Sequence, residues 1–211
     1  MTTVGVVMPV RDNSVTVAAA IESVLSQEPS PDDVVVVHGP SRDRTRSVAE
    51  EYPVRILDQA GIGLGAARNE GLSALDTDLV AFCDGDDTWT DRSLAVRVRH
   101  LVRSPDCGAV TGHYVEARNI GGASLPALTP GGLLVRRSVL AVVGPFREDL
   151  TIGTDSDWLV RLRQSARRLD VLEEIVLHKA RRNGSLSTDV ATYRRELLEV
   201  ARDFLRRERR Y

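Results

Sequence analysis

The stretch "LVAFCDGDDTW", residues Leu79 to Trp89, joins an apolar run directly to an acidic one. The apolar run is typical of a buried β-strand, and three carboxylates occupy four positions at its carboxyl end. Two carboxylates about 5 Å apart repel by about 3 kcal/mol at an effective dielectric of about 20. A bound cation, helix N-terminal amides or solvation must offset this repulsion, which makes this strand end a candidate functional site.

Strand-like and helix-like patterns alternate through the first half of the chain. The runs "VGVVMPV", "VVVVH" and "VRILD" are typical of buried strands, and helical patterns occupy about 14–27, 64–75 and 91–103. Ser14 is the expected N-cap of the first helix. This alternation predicts an α/β fold with a Rossmann-like, mostly parallel sheet flanked by helices. Ligands of such sheets bind outside the carboxyl ends of the strands, where the acidic run lies.

The second half of the chain continues the same domain. "AVTGHYVEA" and "VLEEIVLH" are strand-like, "TDSDWLVRLRQSARR" is helix-like, and no linker is strong enough to divide the chain. We expect one domain over residues 1–187, with halves that meet near residue 104, and an amphipathic helix over residues 188–211 packed on it. The apolar face of this helix carries Tyr193, Leu197, Val200, Ala201 and Phe204.

Composition and charge exclude several classes of protein. The net charge of −2 gives no global attraction to nucleic acid, and no segment predicts secretion or a membrane span. Cys83 and Cys107 form neither a disulfide framework nor a metal-ligand spacing and suit a reducing cytoplasm, the expected location. Lys179 is the only lysine among 28 basic residues, which we interpret mainly as a compositional bias. The basic C-terminal helix leaves open a peripheral contact with an anionic membrane, although packing on the domain explains its apolar face more simply.

Five segments together resemble a known family. They are "VVMPVRDNSVTVAAAIESVLSQ", "GIGLGAARNEGLSAL", "LVAFCDGDDTW", "LLVRRSVLAVVGPFRED" and "GTDSDWLVRL". Their order and spacing resemble the inverting family 2 glycosyltransferases of the GT-A fold over roughly Val4 to Ser187. The resemblance implies that a sugar moves, with inversion, from a nucleotide-sugar bound by residues 1–104 to an acceptor hydroxyl bound by residues 105–187. The acceptor stays open among saccharides, lipids, peptides and small metabolites, and a homodimer is compatible with the pattern.

The acidic run is similar to the D-x-D region of that family. The resemblance implies that Asp86 is a ligand of Mg²⁺ or Mn²⁺, cations that take one or two carboxylates while substrate phosphates fill other positions. The resemblance also implies that Asp84 contacts the ribose, the metal or a metal-bound water. Gly85 leaves room for close approach of the nucleotide-sugar. The alternative is an acidic turn in which Asp87 or a neighbour caps the following helix.

Two further segments are implied to contact the nucleotide. Arg68 matches an arginine that lies by the nucleotide in the family, and an arginine at a helix start is suited to bind a diphosphate. Pro9, Val10 and Arg11 match the end of the first strand, which lies along the nucleoside. As the alternative, "GLGAARN" is a loop and helix start with small residues packed close to the sheet.

The segment "TDSDWLVRL" resembles the acidic pair that supplies the general base. The match assigns this role to Asp155, with Asp157 in reserve, because the acceptor hydroxyl must lose a proton as it attacks the anomeric carbon. A helix N-terminus favours the ionised form of Asp155. As the alternative, Thr154 and Asp155 only cap the helix, and Asp157 pairs with Arg161 at i,i+4.

The acceptor side is expected to involve the same helix start and a Gly/Pro-rich loop. Gly153 and Trp158 are the candidate acceptor contacts, although Trp158 is equally compatible with the core. The loop from Asn119 to Gly132 and the C-terminal helix would shape the acceptor site.

Two positions depart from the family pattern. His38 and Gly39 stand where relatives carry acidic residues that contact the base, and His38 is suited either to replace that hydrogen bond or to cap the turn. Arg182 stands where a histidine approaches the metal or diphosphate, so a guanidinium would neutralise the diphosphate directly. With Arg181 it forms a candidate lid, the alternative being a solvated basic turn.

The departures keep other functions open. A non-catalytic nucleotide-binding domain would retain the strand-end site without turnover. A nucleotidylyltransferase shares the general fold but requires a glycine-rich loop with basic residues after the first strand, and "PVRDN" lacks it.

Overall fold

A single nine-stranded sheet runs through the part of the chain that the computed structural model describes, residues 2–117, 122–165, 167–180 and 189–208. The strands are Val4–Val10 (β1), Asp33–His38 (β2), Arg55–Asp58 (β3), Leu79–Phe82 (β4), Thr88–Trp89 (β5), Cys107–Glu116 (β6), Leu125–Pro126 (β7), Leu134–Arg136 (β8) and Arg168–Lys179 (β9). The helices are Val17–Leu25 (α1), Thr45–Ala49 (α2), Gly63–Ala74 (α3), Ser93–Arg103 (α4), Arg137–Val143 (α5), Thr154–Gln164 (α6) and Val190–Glu208 (α7).

The first half of the sheet is parallel, in the order β3-β2-β1-β4. Both faces of β1 are buried, which explains its continuous apolar sequence. Val7 pairs with Phe82 and Val10 with His38, so β1, β2 and β4 end at the same edge of the sheet. The predicted α/β architecture is confirmed, and the acidic run begins at this edge.

The second half of the sheet is mixed. β8 is antiparallel to both β4 and β6, β6 is parallel to β9, and β5 is antiparallel to β9. Thr88 pairs with His178. The carboxyl end of β9 therefore returns to the residues that directly follow the acidic run.

Two apolar cores cover the two faces of the sheet. One lies under α1, α2 and α4 and includes Ile21 and Leu94. The other lies under α3, α5 and α6 and includes Phe82, Phe146 and Trp158. Because α4 and α6 occupy opposite faces, charges on their outer surfaces point to opposite sides of the domain.

Helix starts differ most from the sequence prediction. α1 begins at Val17 rather than at Ser14, since the Ser14 amide donates to Asp43 Oδ2 at 2.9 Å and holds the preceding loop.

The predicted inward position of Ala201 in α7 is wrong, because Ala201 is exposed and Glu196 is buried instead. Among the described residues, no helix combines the length and apolar character needed to cross a membrane.

Candidate active site

The acidic loop, defined as residues 84–87, lies against the end of β1. The Gly85 amide donates to the Pro9 carbonyl at 3.3 Å, and Thr16 Oγ1 donates to the Gly85 carbonyl at 2.8 Å. A Cβ on Gly85 would lie 2.8 Å from Val10 Cγ1, so only glycine permits this close approach. Pro9 and Val10 thus form the buried wall behind the acidic loop.

The carboxylates of the acidic loop differ in environment. Asp84 and Asp86 are half-buried, whereas Asp87 is 2% exposed. Asp87 Oδ1 accepts the Ala180 amide at 2.8 Å, and Lys179 Nζ lies 3.5 Å from its Oδ2. Burial raises the pKa of Asp87 to about 7, against the opposing charge of Lys179. Asp87 therefore anchors the end of β9 rather than capping the next helix.

Arg68 joins the acidic loop to the start of α6. Its guanidinium is fully buried, lies 5.4 Å from the centre of the Phe146 ring, and donates to Asp84 Oδ1 at 3.0 Å and to Asp155 Oδ1. Burial lowers the pKa of Arg68, but the charges of Asp155 and Asp84 outweigh it and the net shift is upward. The fold thus brings together an acid after β4, an arginine of α3 and an acid of α6.

The chain itself offsets part of the repulsion in the acidic run. Arg68 is paired with Asp84 and Asp155, and Lys179 is paired with Asp87. With every group ionised, the four carboxylates of Asp84, Asp86, Asp87 and Asp155 and these two cations together carry a net charge of −2, which equals in size the charge of one divalent cation.

The acidic loop has the donor chemistry of a Mg²⁺ or Mn²⁺ site. Asp84 and Asp86 offer carboxylate oxygens, and such cations commonly take one or two carboxylates while phosphates and water complete the shell. Within the described ranges, the only cluster of three potential ligand atoms within 4.8 Å is His100, Cys107 and Asp170, at the starting ends of β6 and β9. The acidic loop is therefore suited to a cation that arrives with phosphate oxygens, and the metal assignment stays a prediction.

Asp155 and Asp157 lie on the first turn of α6 but in different surroundings. The Asp155 side chain is 25% exposed, and burial raises its pKa while Arg68 opposes the shift. Asp157 is 1% exposed and pairs with Arg161 Nε at 2.8 Å, as the i,i+4 alternative predicts. Geometry therefore favours Asp155 over Asp157 as the group that meets a substrate.

The two predicted acceptor contacts have internal partners. Trp158 is fully buried, stacks on Phe146 at 5.1 Å between ring centres, and donates from Nε1 to the Gly144 carbonyl at 3.0 Å. Its assignment to the acceptor pocket is wrong, because Trp158 is a core residue. The Gly153 amide donates to Glu196 Oε2 at 2.7 Å and is occupied by this contact.

The end of β2 forms the other side of the site. His38 Nδ1 lies 3.4 Å from Asp58 Oδ1, while its Nε2 is a buried nitrogen with no hydrogen-bond partner among the residues described. A Cβ on Gly39 would lie 2.8 Å from Gln59 Oε1. The Arg11 side chain, 63% exposed, lies one residue beyond β1 at the same edge.

Two residues that follow the acidic loop in sequence, Trp89 and Arg97, bind the end of the Gly/Pro-rich loop. Trp89 Nε1 donates to the Gly131 carbonyl at 3.2 Å, and the buried Arg97 donates to the carbonyls of Gly132 and Leu133 at 3.1 Å each. The Arg97 guanidinium lies 4.4 Å from the centre of the Trp89 ring. These contacts connect the acidic strand end to the end of the predicted acceptor loop.

Several predicted residues lie outside the described ranges. These are Arg181 and Arg182 of the candidate lid, Ser187, and positions 119–121 of the acceptor loop.

Sequence reasoning missed the contacts that dock α7. Glu196 Oε2 accepts the amides of Ile152 and Gly153 at 2.8 and 2.7 Å, and its Oε1 accepts that of Thr151 at 3.0 Å. Arg147 joins the same region to α7 through acids of that helix. The sequence did contain an indication of these contacts, since Glu196 interrupts a stripe of apolar residues at helical spacing.

The family assignment follows from comparison of the sequence with known proteins. The sequence model described as "Glycosyl transferase family 2" matches residues 5–157. The chain therefore belongs to glycosyl transferase family 2. The glycosyltransferase AglE of Haloferax volcanii is 25% identical over 209 residues, which cover 87% of this chain and 69% of that protein. The chain spans only 26% and 31% of the length of two further curated bacterial glycosyltransferases.

Solved structures agree with the fold. Residues 1–349 of S. aureus TarS in complex with UDP-GlcNAc give a TM-score of 0.75 at 20% identity, over 89% of this chain and 61% of that chain. Glucosyl-3-phosphoglycerate synthase from Mycobacterium tuberculosis, in complex with Mn²⁺, UDP and phosphoglyceric acid, gives 0.74 at 22% identity, over 94% and 78%. The GT-A fold expected from the sequence is confirmed.

Proposed function

We propose that the chain is an inverting glycosyltransferase that moves a sugar from a nucleotide-sugar donor to an acceptor hydroxyl. The observation that carries this proposal is the buried Arg68, which donates to Asp84 of the acidic loop and to Asp155 of α6. Asp84 on the donor side and Asp155, the candidate base, are thereby bound to the same guanidinium. Family membership and the UDP complexes of two structures with this fold support the same conclusion.

The reaction requires separate roles for the acids. Asp155 would accept the proton of the acceptor hydroxyl as that oxygen attacks the anomeric carbon from the face opposite the leaving diphosphate, which inverts its configuration. Arg68 would keep Asp155 and Asp84 at a constant separation during this step. Asp86 and Asp84 would hold Mg²⁺ or Mn²⁺, which when bound neutralises charge on the leaving diphosphate.

The nucleotide would lie along the ends of β1 and β2. Pro9 and Val10 offer an apolar wall, and Arg11 offers an exposed guanidinium at its end. His38 Nε2, which has no hydrogen-bond partner in the described part of the chain, supports a base contact from the end of β2 in place of the acidic residue of relatives. Uridine nucleotides are the first donors to test, because both structural neighbours are complexed with UDP or a UDP-sugar.

A donor panel tests this proposal. Purified protein with Mn²⁺ is incubated with UDP-, GDP- and dTDP-linked sugars, with and without pooled hydroxyl acceptors, and nucleoside diphosphate release is measured. We expect release from one donor class that rises with acceptor, and NMR of the product should show inverted anomeric configuration. Calorimetric binding of UDP without turnover of any donor would support the nucleotide-binding alternative instead.

A further inference from the structure

The surface that α7 turns to solvent has an unusual distribution of charge. Its buried and half-buried acids all point toward the domain, where Glu196 binds backbone amides and Glu199 and Asp203 pair with Arg147. The exposed positions between 190 and 206 are occupied only by apolar residues and arginines. We define the outer face of α7 by its exposed arginines and leucines, which are Arg194, Arg195, Leu198, Arg202, Leu205 and Arg206.

The two leucines of the outer face form one line. Leu198 and Leu205 are seven positions apart, which places them on the same side of the helix, and they are 60% and 54% exposed. Arginines flank this line at both levels. Arg206 lies 3.5 Å from Asp203 yet remains 78% exposed, so its charge also faces solvent.

This pattern selects among classes of partner. Leucines flanked by guanidinium groups match the boundary of a bilayer, where apolar side chains enter the acyl region and arginines meet lipid phosphates. A second copy of the same face would bring four arginines against four others. Nucleic acid would engage the arginines but gains nothing from a line of leucines, and the outer face carries no aromatic residue for base stacking.

We propose that the outer face of α7 docks the protein peripherally on a membrane that contains anionic lipids. The interaction combines attraction between four arginines and lipid phosphates with shallow insertion of Leu198 and Leu205. This interaction uses no residue of the donor site, so its test does not depend on whether the proposed function is correct. If both proposals hold, the membrane-binding helix is also the helix that contacts the start of α6, because Glu196 binds the amides of residues 151–153, two to four positions before Asp155.

Vesicle co-sedimentation of the full chain tests the proposal. We expect binding to phosphatidylcholine vesicles that contain phosphatidylglycerol, no binding to phosphatidylcholine alone, and weaker binding at high salt. Arg195→Glu with Arg202→Glu should weaken binding about tenfold or more. Leu198→Ser with Leu205→Ser should weaken binding and remove the part that resists salt.

A matched pair on α4 controls for net charge. Arg99→Glu with Arg103→Glu makes the same charge change at exposed positions on the opposite face of the sheet and should leave vesicle binding unchanged. The proposal is overturned if the wild type does not bind anionic vesicles, or if the α4 pair reduces binding as much as the α7 pair. Self-association in sedimentation velocity that the leucine substitutions disperse, without vesicle binding, would assign the face to a second copy and also overturn it.

Discussion

Lys179 Nζ lies 3.5 Å from Oδ2 of the buried Asp87, so the only lysine of the chain stands against the acidic loop. From the sequence alone, the presence of a single lysine among 28 basic residues indicates only a bias in composition. The pairing of β5 with β9 gives it a role, because it brings the end of β9 to the residues that follow Asp87. Part of the cationic charge that the acidic run requires is therefore built into the chain.

Removal of this charge should change cation binding. Lys179→Met removes a positive charge beside the acidic loop, and the further rise in the pKa of Asp87 offsets part of this change near pH 7, so we expect Mn²⁺ to bind about threefold more tightly. Lys179→Arg keeps the positive charge and should resemble the wild type. Isothermal titration with Mn²⁺ measures the difference, and equal affinities for all three proteins would show that Lys179 does not act on this site.

The buried Arg68 should be important for stability as well as for the site. Arg68→Met leaves Asp84 and Asp155 without their shared cation, and we expect a loss of about 3 kcal/mol in the free energy of unfolding. Urea denaturation measures this loss. Arg99→Met removes an exposed arginine of α4 and serves as the control, with an expected change within about 0.5 kcal/mol. Similar values for the two variants would contradict the bridging role of Arg68.

Docking of α7 should depend on pH through Glu196. Burial raises the pKa of this carboxyl, but the amides of Gly153, Ile152 and Thr151 outweigh it and lower the pKa below its ordinary value of 4.5. A lowered pKa in the folded state stabilises the protein above pH 4.5, and this contribution is lost as the pH falls through the folded value.

Glu196→Gln should therefore cost about 2 kcal/mol at pH 7 and lose less stability than the wild type below pH 4.5. Urea denaturation at pH 3 to 7 provides the measurement. Glu173→Gln alters an exposed acid of β9 and should leave the pH profile unchanged. Parallel profiles for wild type and Glu196→Gln would rule out an ionised Glu196 as the docking group.

The sequence predicted best the elements whose burial is uniform. β1 and β4 are buried along their whole length, so continuous apolar runs identified them and their carboxyl ends located the acidic loop. The contacts between distant elements were not predictable in the same way. β5 has only two residues, and β9 alternates irregularly between exposed and buried positions, so no pattern indicated that Lys179 would meet Asp87.

Contacts between distant elements also explain why the predictions for Trp158 of α6 and Ala201 of α7 were wrong. An aromatic residue after two acids fits either an acceptor pocket or the core, and the stacking of Phe146 on Trp158 decides for the core. Ala201 was placed on the inward face of α7 by its apolar character. The three amides before α6 select Glu196 instead, because a carboxylate satisfies donors that an apolar side chain would leave unpaired.

A comparison of Asp155→Asn with the wild type, on the same donor and acceptor, tests whether Asp155 is the base beside the donor acids. We expect kcat to fall at least about 100-fold while UDP affinity changes by less than about threefold, since the amide keeps the size of the side chain but does not accept the proton. Asp76→Asn, at an exposed acid before β4 on the opposite edge of the sheet, should keep full activity. An Asp155→Asn enzyme with kcat within a few-fold of the wild type would show that Asp155 is not the general base.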